Sequence, residues 1–161
     1  MKNDSQILIA SSNSGKIKEF KRLFKGHQIY SLSDFKISDA IEDGVSFIEN
    51  ALIKAKHGSF FSKKYTIADD SGLVVPDLGY EPGIFSARYA GENATDEENR
   101  NFLINKIKRM KKRTLNADYV CVMVGLKSHD DPRPIITLSL IHISEPTRLL
   151  SISYAVLCLK K

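Results

Sequence analysis

Gln6-Ile7-Leu8-Ile9-Ala10, then Ser11-Ser12-Asn13-Ser14-Gly15, then Lys16–Lys25 is the stretch that decides the fold class. The first five residues form a short, Ile-containing apolar run, which reads as a buried strand. The Ser/Asn/Gly cluster reads as a turn. Beyond it, Ile17, Phe20 and Phe24 recur at helical spacing, with Leu23 beside them. Strand, polar turn and helix in that order predict an α/β protein whose first loop lies at the carboxyl edge of a sheet.

Working outward, Gln28–Ser31 reads as a second short strand and Ser33–Asp43 as a loop or irregular strand closed by Glu42-Asp43-Gly44. Ser46-Phe47-Ile48-Glu49 has the spacing of a capping box. The helix it opens runs to about Ser62, with Ile48, Leu52, Ala55 and Ser59 on one face and Asn50 and Lys54 on another. Tyr65–Ala68 is a strand ending in Asp69-Asp70-Ser71-Gly72, after which Leu73–Val75 is extended. Pro76–Asn93 is a long loop punctuated by Gly and Pro, and a loop of that length inside a compact domain is usually functional. Thr95-Asp96-Glu97-Glu98 opens a third helix with acids at its positive end. Tyr119–Leu126 is the clearest buried strand, and Pro134–Thr137 starts another.

The 161 residues are 42% hydrophobic and 27% charged, which suits one folded domain with a core of its own. Two cysteines, Cys121 and Cys158, exclude a disulfide scaffold and fit a reducing, cytoplasmic setting. Leu149–Leu159 is too short to span a bilayer, and the N-terminus shows no signal peptide, so no membrane partner is expected. The net charge of +5 suits an anionic ligand without implying nucleic acid. Lys106–Arg113 holds six basic residues. No aromatics interleave with them, so they read as a solvated helix end.

Several groups have chemistry to offer. Ser11-Ser12-Asn13-Ser14-Gly15-Lys16, between strand and helix, offers hydroxyls, backbone amides and a cation to a polyphosphate. A plain capping turn is the alternative. It is not a Walker A loop, which would need Gly at position 10 and Ser or Thr at 17, where Ala10 and Ile17 stand. Asp69 and Asp70 are neighbours on a strand and point to opposite faces, so they should have different roles unless the strand bends. Such a carboxylate suits Mg²⁺, which takes one or two protein carboxylates in nucleotide sites; a turn is the other reading. Glu42 is a possible second metal carboxylate, and Lys54 a possible phosphate contact. His27, His57, His129 and His142 lack metal-ligand spacing.

Four blocks, in this order and at this spacing, carry a resemblance. They are Ala10–Lys16 with Lys18-Glu19-Phe20; Glu42–Phe47 running into Glu49-Asn50-Ala51 and Lys54-Ala55; Ala68–Leu73; and Pro82–Gly91. Together they resemble the non-canonical purine nucleoside triphosphate pyrophosphatases, from about residue 6 to 137. The resemblance implies a long mixed central sheet flanked by helices, two lobes around a nucleotide cleft, and a homodimer. It implies Mg²⁺-dependent hydrolysis of ITP, dITP and XTP to monophosphate and pyrophosphate. By position, Ser11, Ser12, Asn13, Ser14, Gly15 and Lys16 would contact the triphosphate, with Lys54 and Ser71 as further substrate contacts. Glu42 and Asp70 would hold Mg²⁺, and Asp70 would accept the proton of the attacking water. A pyrophosphatase for modified pyrimidine nucleotides and a non-catalytic nucleotide-binding module are the rival readings.

The chain departs from that pattern. Ser11-Ser12 stands where Thr-Gly is common. The Phe-Gly-Tyr-Asp-Pro and Ser-His-Arg segments, which in the family supply the base pocket, do not occur in the 161 residues, and the second lobe is expected to be incomplete. From Leu138 the character changes. Leu138–Arg148 (LSLIHISEPTR) back-translates, with suitable codons, to a stretch like a sequencing-library adapter, and Ile152–Leu159 resembles the primer end of one. The expected organisation is a pyrophosphatase domain over 1–137 and a translated adapter tail over 138–161, with inactivity of this chain as the consequence. A genuine strand pair around Ser-Glu-Pro is the alternative. The tail holds three of the 24 basic and one of the 19 acidic residues, so without it the net charge falls from +5 to +3.

Overall fold

The computed structural model describes residues 6–110 and 114–146. The end of the basic run at 111–113, the apolar run Leu149–Leu159 and Cys158 lie outside the described residues. The elements are β1 (Gln6–Ile9), α1 (Ser14–Leu23), β2 (Gln28–Ser31), α2 (Phe47–Ser62), β3 (Tyr65–Val75), β4 (Glu81–Pro82), α3 (Asp96–Arg109), β5 (Thr114–Leu126) and β6 (Ile135–Pro146). The sheet order is β2-β1-β3-β5-β6, with β4 on β3, and the sheet is mixed. The α/β expectation holds. Two compact units share the chain, one from the N-terminal side to Asp70 with Val122–Leu138, the other Ser71–Cys121 with the chain from Ser139.

In the first unit β1 lies parallel to both β2 and β3, Ile9 opposite Ser31 on one side and Ile67 on the other. Side chains alternate across these strands. Ile7, Ile9, Tyr65 and Ile67 meet Ile17 and Phe20 of α1 and Phe24, its C-cap. Leu8, Ala10 and Thr66 meet α2, where a Cβ on Gly58 would lie 2.9 Å from Leu8, 3.0 Å from Ala10 and 3.2 Å from Thr66. The buried residues of α2 are Asn50, Ala51, Ala55, Gly58, Ser59 and Ser62. Of the predicted face, Ala55 and Ser59 are buried, whereas Ile48 is exposed. A helix pressed this close to a sheet buries its smallest side chains and turns the bulky ones out. The predicted capping box is half formed. The Ser46 hydroxyl accepts from the Glu49 amide, but the Glu49 carboxylate accepts from the Val45 amide at 2.6 Å.

In the second unit Leu73, Val75, Leu103, Ile107, Leu115 and Ala117 form the core. The long loop of 76–93 is tied down rather than loose. The Ser86 hydroxyl accepts from the Leu73 amide and donates to the Gly83 carbonyl. Asn99 of α3 accepts from the Ala90 amide and donates to the Ala87 carbonyl. Glu81 accepts from both Tyr89 and Lys106, so the first cation of the basic run is paired. Thr95 and Glu98 complete a reciprocal capping box on α3.

Two strands are longer than predicted. β3 runs straight through Asp69-Asp70-Ser71-Gly72, which removes the turn reading of that motif. β5 begins at Thr114 rather than Tyr119. The last strand, β6, continues without a break across residue 138 to Pro146.

Candidate active site

The straight course of β3 sends its two acids to opposite faces. Asp69 follows Tyr65 and Ile67 toward α1, where its Oδ2 receives the Lys16 ammonium at 2.5 Å. Asp70 follows Thr66 and Ala68 toward α2, where its Oδ1 lies 3.4 Å from the Lys54 ammonium. The same ammonium lies 3.3 Å from Glu42 Oε1. Two carboxylates from distant parts of the chain thus converge on one cation. Asp70 Oδ2 is buried with no hydrogen-bond partner. Burial pushes the Asp70 carboxyl above the usual carboxylate range, and Glu42 adds to this, while Lys54 and Asn50 pull in the other direction.

Beside this group is a cavity of about 190 Å³ lined by Ala10, Ser11, Ser12, Leu32, Asp39, Ala40, Glu42, Lys54 and His57. Two contacts hold the Glu42-bearing loop against it. The Ser12 hydroxyl donates to Asp39 at 2.5 Å, and the His57 Nε2 lies 2.9 Å from the Ser38 carbonyl, which fixes Nε2 as the protonated nitrogen.

The predicted triphosphate residues are therefore divided. Ser11 and Ser12 line the cavity; Asn13, Ser14, Gly15 and Lys16 do not. Asn13 caps α1, its Oδ1 accepting from the amides of Gly15 and Lys16 at 2.9 and 3.1 Å. Those two amides are thus engaged, contrary to the expectation of free donors there. Lys16 is held by Asp69. The Ser71 hydroxyl, in the second unit, accepts from Tyr119 at 3.2 Å. Reading the sequence missed Asp39 and His57. Asp39 carries no signal, whereas Asn50, Lys54 and His57 recur at helical spacing along α2 and mark a polar face.

Two carboxylates converge here through Glu42 Oε1 and Asp70 Oδ1, and Asp70 keeps its other oxygen, Oδ2, buried and without a partner; such hard oxygen donors fit a divalent cation. Among the described residues no cluster of three or more His, Cys, Asp or Glu is placed to hold a metal. Mg²⁺ does not require one, because it keeps waters and shares substrate oxygens.

The fold and site thus define an α/β protein in which two carboxylates and a lysine converge between a helix and the sheet it packs on. The chain belongs to the Ham1 family, whose profile matches residues 7–139. It is 44% identical over 137 residues to the dITP/XTP pyrophosphatase of Legionella pneumophila (strain Paris), covering 85% of this chain and 71% of that one. Its fold matches a HAM1 protein from Coxiella burnetii with a TM-score of 0.80, at 34% identity, over 86% of this chain and 71% of that one. A nucleoside-triphosphatase / dITP/XTP pyrophosphatase from Mycobacterium abscessus matches with a TM-score of 0.71, at 30% identity, over 85% of this chain and 72% of that one.

Proposed function

We propose that this chain carries the phosphate- and metal-binding half of a Mg²⁺-dependent pyrophosphatase for non-canonical purine nucleoside triphosphates, ITP, dITP and XTP, releasing monophosphate and pyrophosphate. The observation that carries it is the convergence of Glu42 and Asp70 on the Lys54 ammonium beside the serine-lined cavity. The ammonium marks the point where positive charge is stabilised. Glu42 and Asp70 would hold the cation there, and a cation so held supplies charge against phosphate oxygens.

The chain's own residues supply the rest. Ser11 and Ser12 present hydroxyls to the phosphates. Lys54 adds charge that stabilises the negative pyrophosphate leaving group. Asp70 takes the proton of the water that attacks the innermost phosphorus, and its raised affinity for a proton suits it to that role. Ser71 is a further substrate contact. The reading brings with it a homodimer and a cytoplasmic setting. Among the described residues no helix is long and apolar enough to cross a membrane.

We also propose that residues 138–161 are foreign to the domain of 1–137. The resemblance of Leu138–Arg148 to an adapter supports this. Sequencing the native locus tests the tail; an unbroken frame through Ile141-His142 would refute it.

The activity is tested by joining residues 1–137 to the following segment of the Legionella relative and measuring pyrophosphate released from dITP with Mg²⁺. Turnover that is lost in Asp70→Asn is the expected result. A folded hybrid that binds dITP without cleaving it would mean a binding module instead. Preference for modified pyrimidine triphosphates in the same assay would reassign the substrate.

A further inference from the structure

Asn50 takes no part in the chemistry above, yet it lies among the groups that perform it. It is fully buried on α2, one turn before Lys54. Its Oδ1 accepts from the Gly44 amide at 2.9 Å, two residues after Glu42. A Cβ at position 44 would lie 2.7 Å from that oxygen, so the approach is open only to glycine. The other end of the carboxamide, Nδ2, is buried with no hydrogen-bond partner, and so is Asp70 Oδ2. Asn50 and Lys54 stand four residues apart on one face of α2, and the Lys54 ammonium lies 3.4 Å from Asp70 Oδ1. A buried donor and a buried acceptor left unmatched each cost about 1–3 kcal/mol. An asparagine here has a use outside packing.

We propose that Asn50 is a positioning residue that couples the two acidic groups: its Oδ1 fixes the Glu42 loop through the Gly44 amide, while its Nδ2 orients the Asp70 carboxylate. One side chain then sets the spacing of the two oxygen ligands offered to a divalent cation. The inference rests on the reading of Glu42 and Asp70 as cation ligands. Outer partners that orient metal ligands typically contribute about 10- to 100-fold in metal affinity.

The test uses the full 161-residue chain and Mn²⁺ alone, with binding followed by electron paramagnetic resonance and folding by circular dichroism. Glu42→Gln and Asp70→Asn should each lose most of the affinity. Asn50→Leu should keep the spectrum of the folded chain and weaken Mn²⁺ binding about tenfold. Gly44→Ala, which pushes a methyl group onto the same oxygen, should weaken it similarly, and the double variant should be no weaker than the worse single one. In the unsubstituted chain, the Asn50 side-chain amide and Gly44 backbone amide resonances should shift together on Mg²⁺ titration, and not in Asp70→Asn.

Wild-type Mn²⁺ affinity in Asn50→Leu, with loss in Glu42→Gln and Asp70→Asn, would overturn the coupling role and leave the cation site intact. Unchanged affinity in both acid variants would overturn the cation site and the coupling together. If Asn50→Leu does not fold, the titration decides: amide signals that stay fixed while Mg²⁺ binds overturn the proposal.

Discussion

Asp69 and Asp70 differ by one position and have different environments, because a strand turns successive side chains to opposite faces. Asp69 is almost fully buried and carries Lys16, itself partly exposed. Asp69→Asn leaves that lysine without its carboxylate. It should cost about 1–3 kcal/mol in urea unfolding, below the range for a fully buried pair. A double cycle with Lys16→Met should show coupling above about 0.5 kcal/mol. Asp70 has the opposite balance. Its folded-state pKa is raised by burial, so the unfolded chain releases that proton first as pH rises. Stability therefore declines from the ordinary aspartate range through the raised value and stays lower above it. Asp70→Asn should melt higher than the parent at pH 7, and the gap should close in acid. A lower melting temperature at pH 7 would contradict the cost assigned to this charge.

Among the elements, α2 carries most of the site. It presents Asn50, Lys54 and His57 at helical spacing, and small residues let it lie close to β1 and β3. Gly58→Ala would push a methyl group into Leu8 and Ala10 and should destabilise by about 1–3 kcal/mol in chemical denaturation. Lys54 would move with the helix, so binding of tripolyphosphate should fall in the same variant. In the second unit, Glu81 joins the long loop to α3 through Tyr89 and Lys106. The hydrogen bonds from Lys106 and then Tyr89 hold the Glu81 carboxyl below the usual glutamate range. A lowered folded-state pKa gives stability that is present above the ordinary value of about 4.3 and lost as pH falls through the folded one. Glu81→Gln should therefore melt lower than the parent at neutral pH and match it in strong acid. The group is exposed, so the difference should shrink in high salt.

At the scale of the molecule, β6 is the edge of the sheet and exposes Ile135, Ile136, Leu138, Leu140 and Ile141. Consecutive apolar residues open on both faces, in a strand of twelve residues, are a template for pairing with another chain. Leu138→Lys with Leu140→Lys should reduce concentration-dependent light scattering without altering the far-ultraviolet spectrum. Persistent scattering would place the sticky surface elsewhere. The chain spans 71% of the Legionella relative, and β6 falls where its family match ends.

The opening run of sequence determined a good deal unaided. Ile7–Ile9, the Ser/Asn/Gly turn and the Phe20/Phe24 spacing are local signals, and local signals fix element type and the loop at the sheet edge. Asp69 and Asp70 also declared their divergence in advance, since alternation is a property of any straight strand. Contacts between distant segments were a matter for the tertiary structure. The pairing of Lys16 with Asp69, the hold of Asp39 and His57 on the Glu42 loop, and the meeting of Glu42 with Asp70 on Lys54 each join segments far apart along the chain. No period or motif encodes such distances. They are set when α1 and α2 pack on the two faces of the sheet, and on the α2 side the size of Gly58, Ala55 and Ala51 decides how close the helix comes.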